Sequence, residues 1–378
     1  MRIATNSDLA QLATSGIRRF NALASEVEGC VRLTLGEPEF ATPGPVCQAV
    51  ASSLAKGQTH YPPNNGTPQL LGAISAYMGR FGLAYDSDEL IVTCGATEAL
   101  SATLLSLLDP GDEVVVPTPA FGLYETIVRA AHGRVIPLDT TATGFQILEN
   151  DLRAAVGPRT RAIVITSPNN PTGCVLDAES LDAVARVAGE SGIVVVCDDV
   201  YNRLCYEEGF ERFAQRHPEL REQTVVVDSF SKPWAMTGWR LGWLAAAPDL
   251  KAQIQKMHQY LVSSVPAFLQ EAAEAALCCD VEPMRQTYLR RRDLVVERLE
   301  GMGLRVQRPA GAFYVFPDVS GLGMGSEELC ERLICEAGVA CVPGTCFGAE
   351  GFMRLSYCVS DKDLEKGLSR IEGFLAEL

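Results

Sequence analysis

The sequence has no uninterrupted apolar stretch long enough to cross a bilayer, and its opening residues, Met1-Arg2-Ile3-Ala4-Thr5-Asn6-Ser7-Asp8, lack the apolar core of a secretion signal. These absences predict a cytoplasmic protein with no membrane partner. No block of lysine or arginine occurs either, and the formal net charge is −15. A surface of that sign repels a phosphate backbone, which argues against nucleic acid as a partner. Histidine occurs four times, at scattered positions, and there is no H-E-x-x-H, no G-x-S-x-G and no G-x-x-x-x-G-K. The usual signatures of zinc proteases, serine hydrolases and P-loop nucleotidases are therefore missing. The thirteen cysteines include no C-x-x-C pair, and many lie in apolar runs such as Val194-Val195-Val196-Cys197. That pattern argues against a disulfide frame or a zinc ribbon and reads as reduced core residues. Cys330, Cys335, Cys341 and Cys346 are the one cluster, and their spacing fits no zinc pattern, so no metal is expected.

What is present points to a large globular chain: 378 residues, 47% hydrophobic and 21% charged, enough for more than one domain. From about residue 45, helical stretches alternate with short β-branched runs, the rhythm of an α/β domain with a mainly parallel sheet. Strands are predicted at 89–93, 113–116, 134–137, 162–166, 193–197, 224–227 and 241–245, with helices such as 97–108 and 178–190 between them. Polar or glycine-rich residues follow most of these strands, and ligands of open α/β sheets bind beyond the strands' carboxyl ends. A long helical stretch from 249 to 302 leads out of this region. Beyond it, runs at 305–306, 313–315 and 353–356 and helices at 326–337 and 361–378 predict a smaller α+β unit. The expected division is a large domain at 45–280, with a small domain and N-terminal arm at 1–44 and 281–378. The arm is expected to pack on the small unit or on a neighbouring subunit.

Lysine is scarce, with six residues, and one stands in Ser229-Phe230-Ser231-Lys232 just after the strand-like run Thr224-Val225-Val226-Val227. Arg240 follows eight residues later in Thr237-Gly238-Trp239-Arg240-Leu241-Gly242. An amine condenses with a carbonyl to form a Schiff base, and an arginine with two hydroxyls holds a phosphate dianion. Pyridoxal 5'-phosphate carries both groups. Asp198 ends a nearly all-apolar strand, where a charge is costly unless it meets a partner, and a protonated pyridine nitrogen is such a partner. Tyr201, three residues on, can reach the same ring. Asn170, in the turn Asn169-Asn170-Pro171-Thr172-Gly173, is placed to donate to a ring oxygen. Gly95-Ala96-Thr97 opens a helix, where free amides favour an anion. Phe121 offers a flat face for stacking. Taken singly, each has an ordinary explanation: a solvated lysine, an Asp-Asp cap, a common turn, an N-cap by Thr97, a core phenylalanine.

In this order, however, the motifs resemble the class I/II aminotransferases of the aspartate aminotransferase family, pyridoxal-phosphate enzymes of fold type I. The resemblance covers nearly the whole chain. It includes Leu35-Gly36-Glu37-Pro38-Glu39-Phe40, Tyr61 with Gly66-Thr67-Pro68, Gly95 to Ala99, Asp198-Asp199-Val200-Tyr201, Gly311-Ala312-Phe313-Tyr314 and Arg354-Leu355-Ser356-Tyr357. It implies a large domain built on a mainly parallel seven-stranded sheet with a smaller α+β domain. It also implies that Lys232 forms the Schiff base and moves the proton between substrate Cα and cofactor C4′. Asp198 would pair with the pyridine nitrogen, with Asn170 and Tyr201 on the ring hydroxyl oxygen. Ala96, Thr97, Ser229 and Arg240 would hold the phosphate, with Gly95 and Ser231 beside them. Tyr61 would reach the phosphate of the other subunit, which implies a homodimer with shared sites. Arg354 would clamp the substrate α-carboxylate, helped by the backbone at Gly36 and by Asn170. The implied reaction moves an amino group from an L-amino acid to a 2-oxo acid by a ping-pong route.

Three positions depart from the family pattern. Phe121 stands where members dedicated to aspartate often have tryptophan, Thr97 where some bacterial members have lysine, and Asp199 where glutamate is usual. A carbon–sulfur β-lyase is the alternative activity, because loss of the same Cα proton serves both outcomes. A cofactor-sensing regulator of this fold would need a DNA-binding segment, for which the reading leaves no room.

Overall fold

The computed structural model describes residues 6–12 and 15–378. Numbered along the chain, the strands are β1 (Val31–Arg32), β2 (Leu90–Thr93), β3 (Glu113–Thr118), β4 (Arg134–Asp139), β5 (Thr160–Thr166), β6 (Val194–Asp198), β7 (Thr224–Ser229), β8 (Gly242–Ala246), β9 (Tyr314–Val315), β10 (Val339–Ala340), β11 (Val342–Pro343) and β12 (Met353–Ser356). The helices are α1 (Gly16–Glu26), α2 (Gly44–Ala55), α3 (Pro68–Gly79), α4 (Gly95–Leu107), α5 (Leu123–Ala130), α6 (Glu149–Ala155), α7 (Ala178–Ser191), α8 (Phe213–Arg216), α9 (Pro248–Val262), α10 (Ala267–Leu277), α11 (Glu282–Gly301), α12 (Ser326–Arg332) and α13 (Asp361–Ala376).

All seven predicted strands form, and they make one sheet in the order β2-β8-β7-β6-β5-β3-β4. Only β8 runs against its neighbours β2 and β7; the other pairs are parallel. β7 and β8 are buried at every residue, which is why their sequences show apolar runs rather than alternation. Alternation survives as a choice of face. Ala162 and Val164 join the layer that contains α4 and α5, whereas Ile163 and Ile165 join the layer that contains α7. Burying each valine or isoleucine contributes about 1.5–3 kcal/mol. Val225, Val226 and Val227 are fully buried, so β7 helps to offset the cost of carrying polar groups at the strand ends.

The second unit is built on the antiparallel sheet β11-β12-β9, with β1 paired in parallel to β10 through Val31↔Val339. Phe20 of α1, Leu33, Tyr288, Phe313, Leu355 and Leu368 share its core, so α1 and β1 pack here, whereas Asp8 pairs with His132 beyond α5 and Thr42 donates to the Ala235 carbonyl. Arg291 of α11 pins the N-terminal segment further, pairing with Glu39 and with Asp361.

The predicted helix over 249–302 is three helices. Ser263, at φ +64°, ends α9, and Pro266 and Pro283 then open α10 and α11, where a missing N–H costs nothing. Residues 305–306 make one bridge, Arg305↔Asp318, rather than a strand. The helix over 326–337 is α-helical to Arg332 and widens to a π turn over Leu333–Ala337.

Candidate active site

A cavity of about 300 Å³ lies where β5, β6 and β7 end and α4 begins. Its anion-binding end is made by close backbone approach. Gly95 has φ +76°, and a Cβ there would stand 2.8 Å from Nη2 of Arg240. A Cβ on Gly242 would stand 2.8 Å from the Asp228 carbonyl and 2.9 Å from the Ala96 nitrogen. The two glycines thus let the first turn of α4 meet Arg240 and β8. Cys94, not Thr97, is the N-cap, and its side chain accepts no amide, so the first-turn N–H groups of α4 are left for a ligand. Ser229 and Ser231 lie alongside, their hydroxyls 2.8 Å apart. Arg240, itself at φ +55°, donates to the Thr237 carbonyl at 3.0 Å. Amides, two hydroxyls and a guanidinium together suit a phosphate.

Asp198 closes the opposite end at the tip of β6, 5% exposed. Its Oδ2 accepts a 2.6 Å hydrogen bond from the Tyr124 hydroxyl, which also meets Thr166 Oγ1 at 2.7 Å. Its Oδ1 is buried without a partner. Burial pushes the carboxyl up to about 6, opposed by the Tyr124 hydrogen bond, the nearby Val200 amide and the Lys232 charge. A buried carboxylate oxygen left without a donor on a cavity wall calls for a protonated or cationic group in the cavity. Removing the Tyr124 hydroxyl takes away a hydrogen bond to a charged group, worth about 1.5–3 kcal/mol. Tyr124→Phe is therefore expected to lower affinity for a cationic ligand at Asp198 by about 10- to 100-fold, measured by equilibrium titration.

Behind Asp198, Asp199 and Asp228 are also buried, and burial pushes both up to about 7 despite Arg212 beside them. Because the folded carboxyl of Asp199 titrates above its ordinary 3.8, its ionisation opposes folding progressively as pH rises from about 4 to about 7. Asp199→Asn should raise the melting temperature more at pH 8 than at pH 5; an equal gain at both would contradict this reading.

Lys232 donates to the Gly36 carbonyl at 2.5 Å and lies 5.8 Å and 5.7 Å from the ring centroids of Tyr201 and Phe313. Burial lowers its amine from 10.5 to about 8, with Arg354 and Arg240 adding to the effect against Cys358 and Glu37. A neutral, nucleophilic fraction is thus available near neutral pH. Arg354, on β12, is 1% exposed. Its Nη1 donates to Asn170 Oδ1 at 2.8 Å and its Nη2 to the Thr34 carbonyl at 2.6 Å, while Nε is buried without a partner. The rings of Tyr314 and Phe347 flank its guanidinium at 4.5 and 4.9 Å. A Cβ on Gly36 would stand 2.2 Å from the Tyr314 hydroxyl, so that position needs glycine.

The structure therefore brings Gly36, Ala96, Thr97, Phe121, Asn170, Asp198, Tyr201, Ser229, Ser231, Lys232, Arg240 and Arg354 to one cavity, with Gly95 adjoining it. Tyr61 is not among the lining residues; it is 89% exposed. Sequence reasoning assigned no role to Tyr124, Thr166, Tyr314 or Ile17, all of which line the cavity. Thr166 ends a predicted strand and could have been found by that rule. Tyr314 makes a 2.9 Å hydroxyl contact with Tyr201 across 113 residues of sequence, and no local pattern announces it. The cysteines are free; Cys330 and Cys341 are buried and Cys335 is exposed.

The sequence model of the family described as aminotransferase class I and II matches residues 28–371. The chain belongs to the class I and II aminotransferases. This aminotransferase is 41% identical to the aspartate/prephenate aminotransferase of Thermus thermophilus, over 90% of this chain and 89% of that one. It is 38% identical to the aspartate aminotransferase of Pyrococcus horikoshii, over 95% and 94% of the two chains. The structure of the Thermus thermophilus aspartate aminotransferase with maleate matches it with a TM-score of 0.93 at 38% identity, covering 99% of this chain and 100% of that one. Its fold is accordingly that of the fold-type-I aminotransferases. No helix among the described residues is long and apolar enough to cross a membrane.

Proposed function

We propose that this aminotransferase binds pyridoxal 5'-phosphate in the cavity and transfers the amino group of an L-amino acid to a 2-oxo acid. The observation that carries the reading is the partnerless, buried Oδ1 of Asp198 on the wall of a cavity that also holds a depressed lysine amine and a phosphate cradle. When bound, the cofactor supplies an electron sink for the bond broken at the substrate Cα.

The chain's residues do the rest. Asp198 Oδ1 would hold the protonated ring nitrogen. With Asn170 Oδ1 already taken by Arg354, its amide nitrogen would be free to hold the ring oxygen, together with Tyr201. Phe121, on the cavity wall, would hold the ring by its face. The α4 amides from Gly95 to Thr97, with Ser229, Ser231 and Arg240, hold the phosphate. Lys232 would hold the cofactor's aldehyde carbon and, freed when the substrate amine takes its place, would act as the base that moves the proton from substrate Cα to C4′. Arg354 receives the substrate carboxylate, with the Gly36 backbone alongside. Truncating one side of such a buried ionic contact costs about 2–4 kcal/mol. Arg354→Ala should therefore raise KM by about 30- to 1,000-fold with a smaller loss of kcat. An unchanged KM would misplace the carboxylate site.

Lys232, Arg240 and Arg354 are the cations lining the cavity, and all three have roles in this reading. A donor with a second carboxylate then needs a cation from outside this lining, and the relatives named for aspartate do not decide the donor here. Tyr61 and Tyr260 are 89% and 86% exposed, and Asn64 ties their segments together through Ser263 and His258. That shared face supports a homodimer in which Tyr61 reaches the partner's phosphate cradle. The two sheets, each with its own core, support a large domain at 45–280 and a smaller unit at 1–44 and 281–378, the two meeting where Val200, Tyr201 and Leu204 enter the core of the smaller sheet. The reading places the enzyme in the cytoplasm.

The test is a half-reaction of cofactor-loaded protein with single L-amino acids. Loss of the cofactor's visible absorption with one equivalent of 2-oxo acid supports the proposal. Turnover of a cysteine-like substrate to pyruvate, ammonia and thiol, with the absorption restored, would make the enzyme a carbon–sulfur β-lyase. No reaction with any amino acid would contradict both.

A further inference from the structure

A second cavity, of about 540 Å³, lies between the end of α3, the segment after β6 and the first turn of α11. Arg80, Arg203, Arg212 and Arg285 line it against Glu207 and Glu282, leaving two net positive charges in a chain whose formal charge is −15. Arg285 is committed, because it grips Glu282 through two bonds of 2.8 and 2.6 Å. Arg80 gives one nitrogen to the Leu277 carbonyl at 3.3 Å.

The other two are under-satisfied. Arg203 makes no hydrogen bond or ion pair among the described residues; its guanidinium lies 4.5 Å from the Phe81 ring centroid, and its Nε is buried without a partner. Arg212 is 5% exposed and lies 5.5 Å from the same ring. Its Nη2 donates to Asn202 Oδ1 at 2.7 Å, and its Nη1, which has no hydrogen-bond partner, faces Asp228 Oδ2 at 3.8 Å. Neutralising Asp228 and Asp199 explains why Arg212 is there, but it explains neither Arg203 nor Arg80. Two guanidiniums beside one ring repel each other, and their buried N–H groups each cost free energy until an acceptor arrives.

We propose that this cavity binds a small dianionic oxyanion, either inorganic phosphate or a phosphate monoester, held by Arg203 and Arg212 with Arg80 at the rim. A phosphate brings negative charge to a lining in which Arg80 and Arg203 have no ion pair among the described residues, and its several oxygens suit guanidinium groups converging from different elements. The cavity is roomier than the ion alone requires, so it has space for the organic part of an ester. Nothing in the transamination reading uses this site.

The experiment uses cofactor-loaded protein, so that the first cavity is filled. Inorganic phosphate is titrated at constant ionic strength against chloride, with binding heat and melting temperature as readouts. Saturable binding of phosphate and not chloride is expected. Arg203→Gln should weaken it at least tenfold without changing the cofactor's visible absorption, and Arg80→Gln should weaken it less. Arg354→Gln should leave it unchanged. Glycerol 3-phosphate binding more tightly than phosphate identifies an ester site, and equal affinity identifies the free ion. The proposal is overturned if no saturable binding occurs, if Arg203→Gln binds phosphate as well as the parent, or if Arg354→Gln abolishes binding, which would put the anion in the substrate position. Should Arg203→Gln fail to fold, undiminished binding by Arg80→Gln overturns it.

Discussion

Lys232→Ala is expected to lower the rate of transamination by about ten-thousand-fold or more, while the protein still folds and still holds the cofactor's phosphate. The size follows from the two tasks given to one amine. As nucleophile it captures the aldehyde, and as base it moves the Cα proton, a contribution worth about 10²- to 10⁴-fold by itself. Neither task has a substitute nearby, since the other cations lining the cavity are the guanidiniums of Arg240 and Arg354, which do not lose protons near neutral pH. The phosphate cradle is built from α4, Ser229, Ser231 and Arg240, so cofactor retention should outlast the loss of chemistry. Single-turnover kinetics with an L-amino acid, followed by the cofactor's absorption and by 2-oxo acid release, measures the effect. Undiminished transamination would remove Lys232 from the mechanism.

Asp198→Asn carries the second largest expected effect, a fall in kcat of about 10²- to 10³-fold with weaker cofactor binding. The variant keeps the size of the side chain and removes the charge opposite the ring nitrogen, and breaking a buried pair from one side costs about 3–5 kcal/mol. The pH dependence separates this role from mere packing. In the cofactor-free protein, burial holds the Asp198 carboxyl at about 6, so it gains a proton as pH falls through that value. Cofactor affinity should therefore fall more steeply below pH 6 in the parent than in Asp198→Asn. Parallel pH profiles would assign Asp198 a structural role only.

Much of this site was legible because its key residues are locally out of place. A carboxylate closing a valine strand, and a lysine in a chain with few lysines, stand out without any structure. The sheet was legible for a related reason: strands covered on both faces, such as β7 and β8, read as short apolar runs with polar ends. What stayed hidden depends on distance along the chain. The Tyr124–Asp198 bond spans 74 residues and the Asn202–Asp228 bond 26, and helical or strand periodicity is blind to both. Of the four two-residue strands, β1, β10 and β11 are too short to show any period, and β9 was found only as part of the apolar run Phe313-Tyr314-Val315. In 249–302 the apolar pattern outweighed Pro266 and Pro283, although both were visible as breaks. Tyr61 belongs to a different class, since its proposed partner is a second copy of the chain.

The most direct measurement of the central claim is to reduce the cofactor-loaded protein with borohydride and locate the cofactor by peptide mass mapping. A label on Lys232 and on none of the other five lysines is expected, with loss of that label when a reactive L-amino acid is added before reduction. A label on Lys56, Lys251 or any lysine other than Lys232 would contradict it.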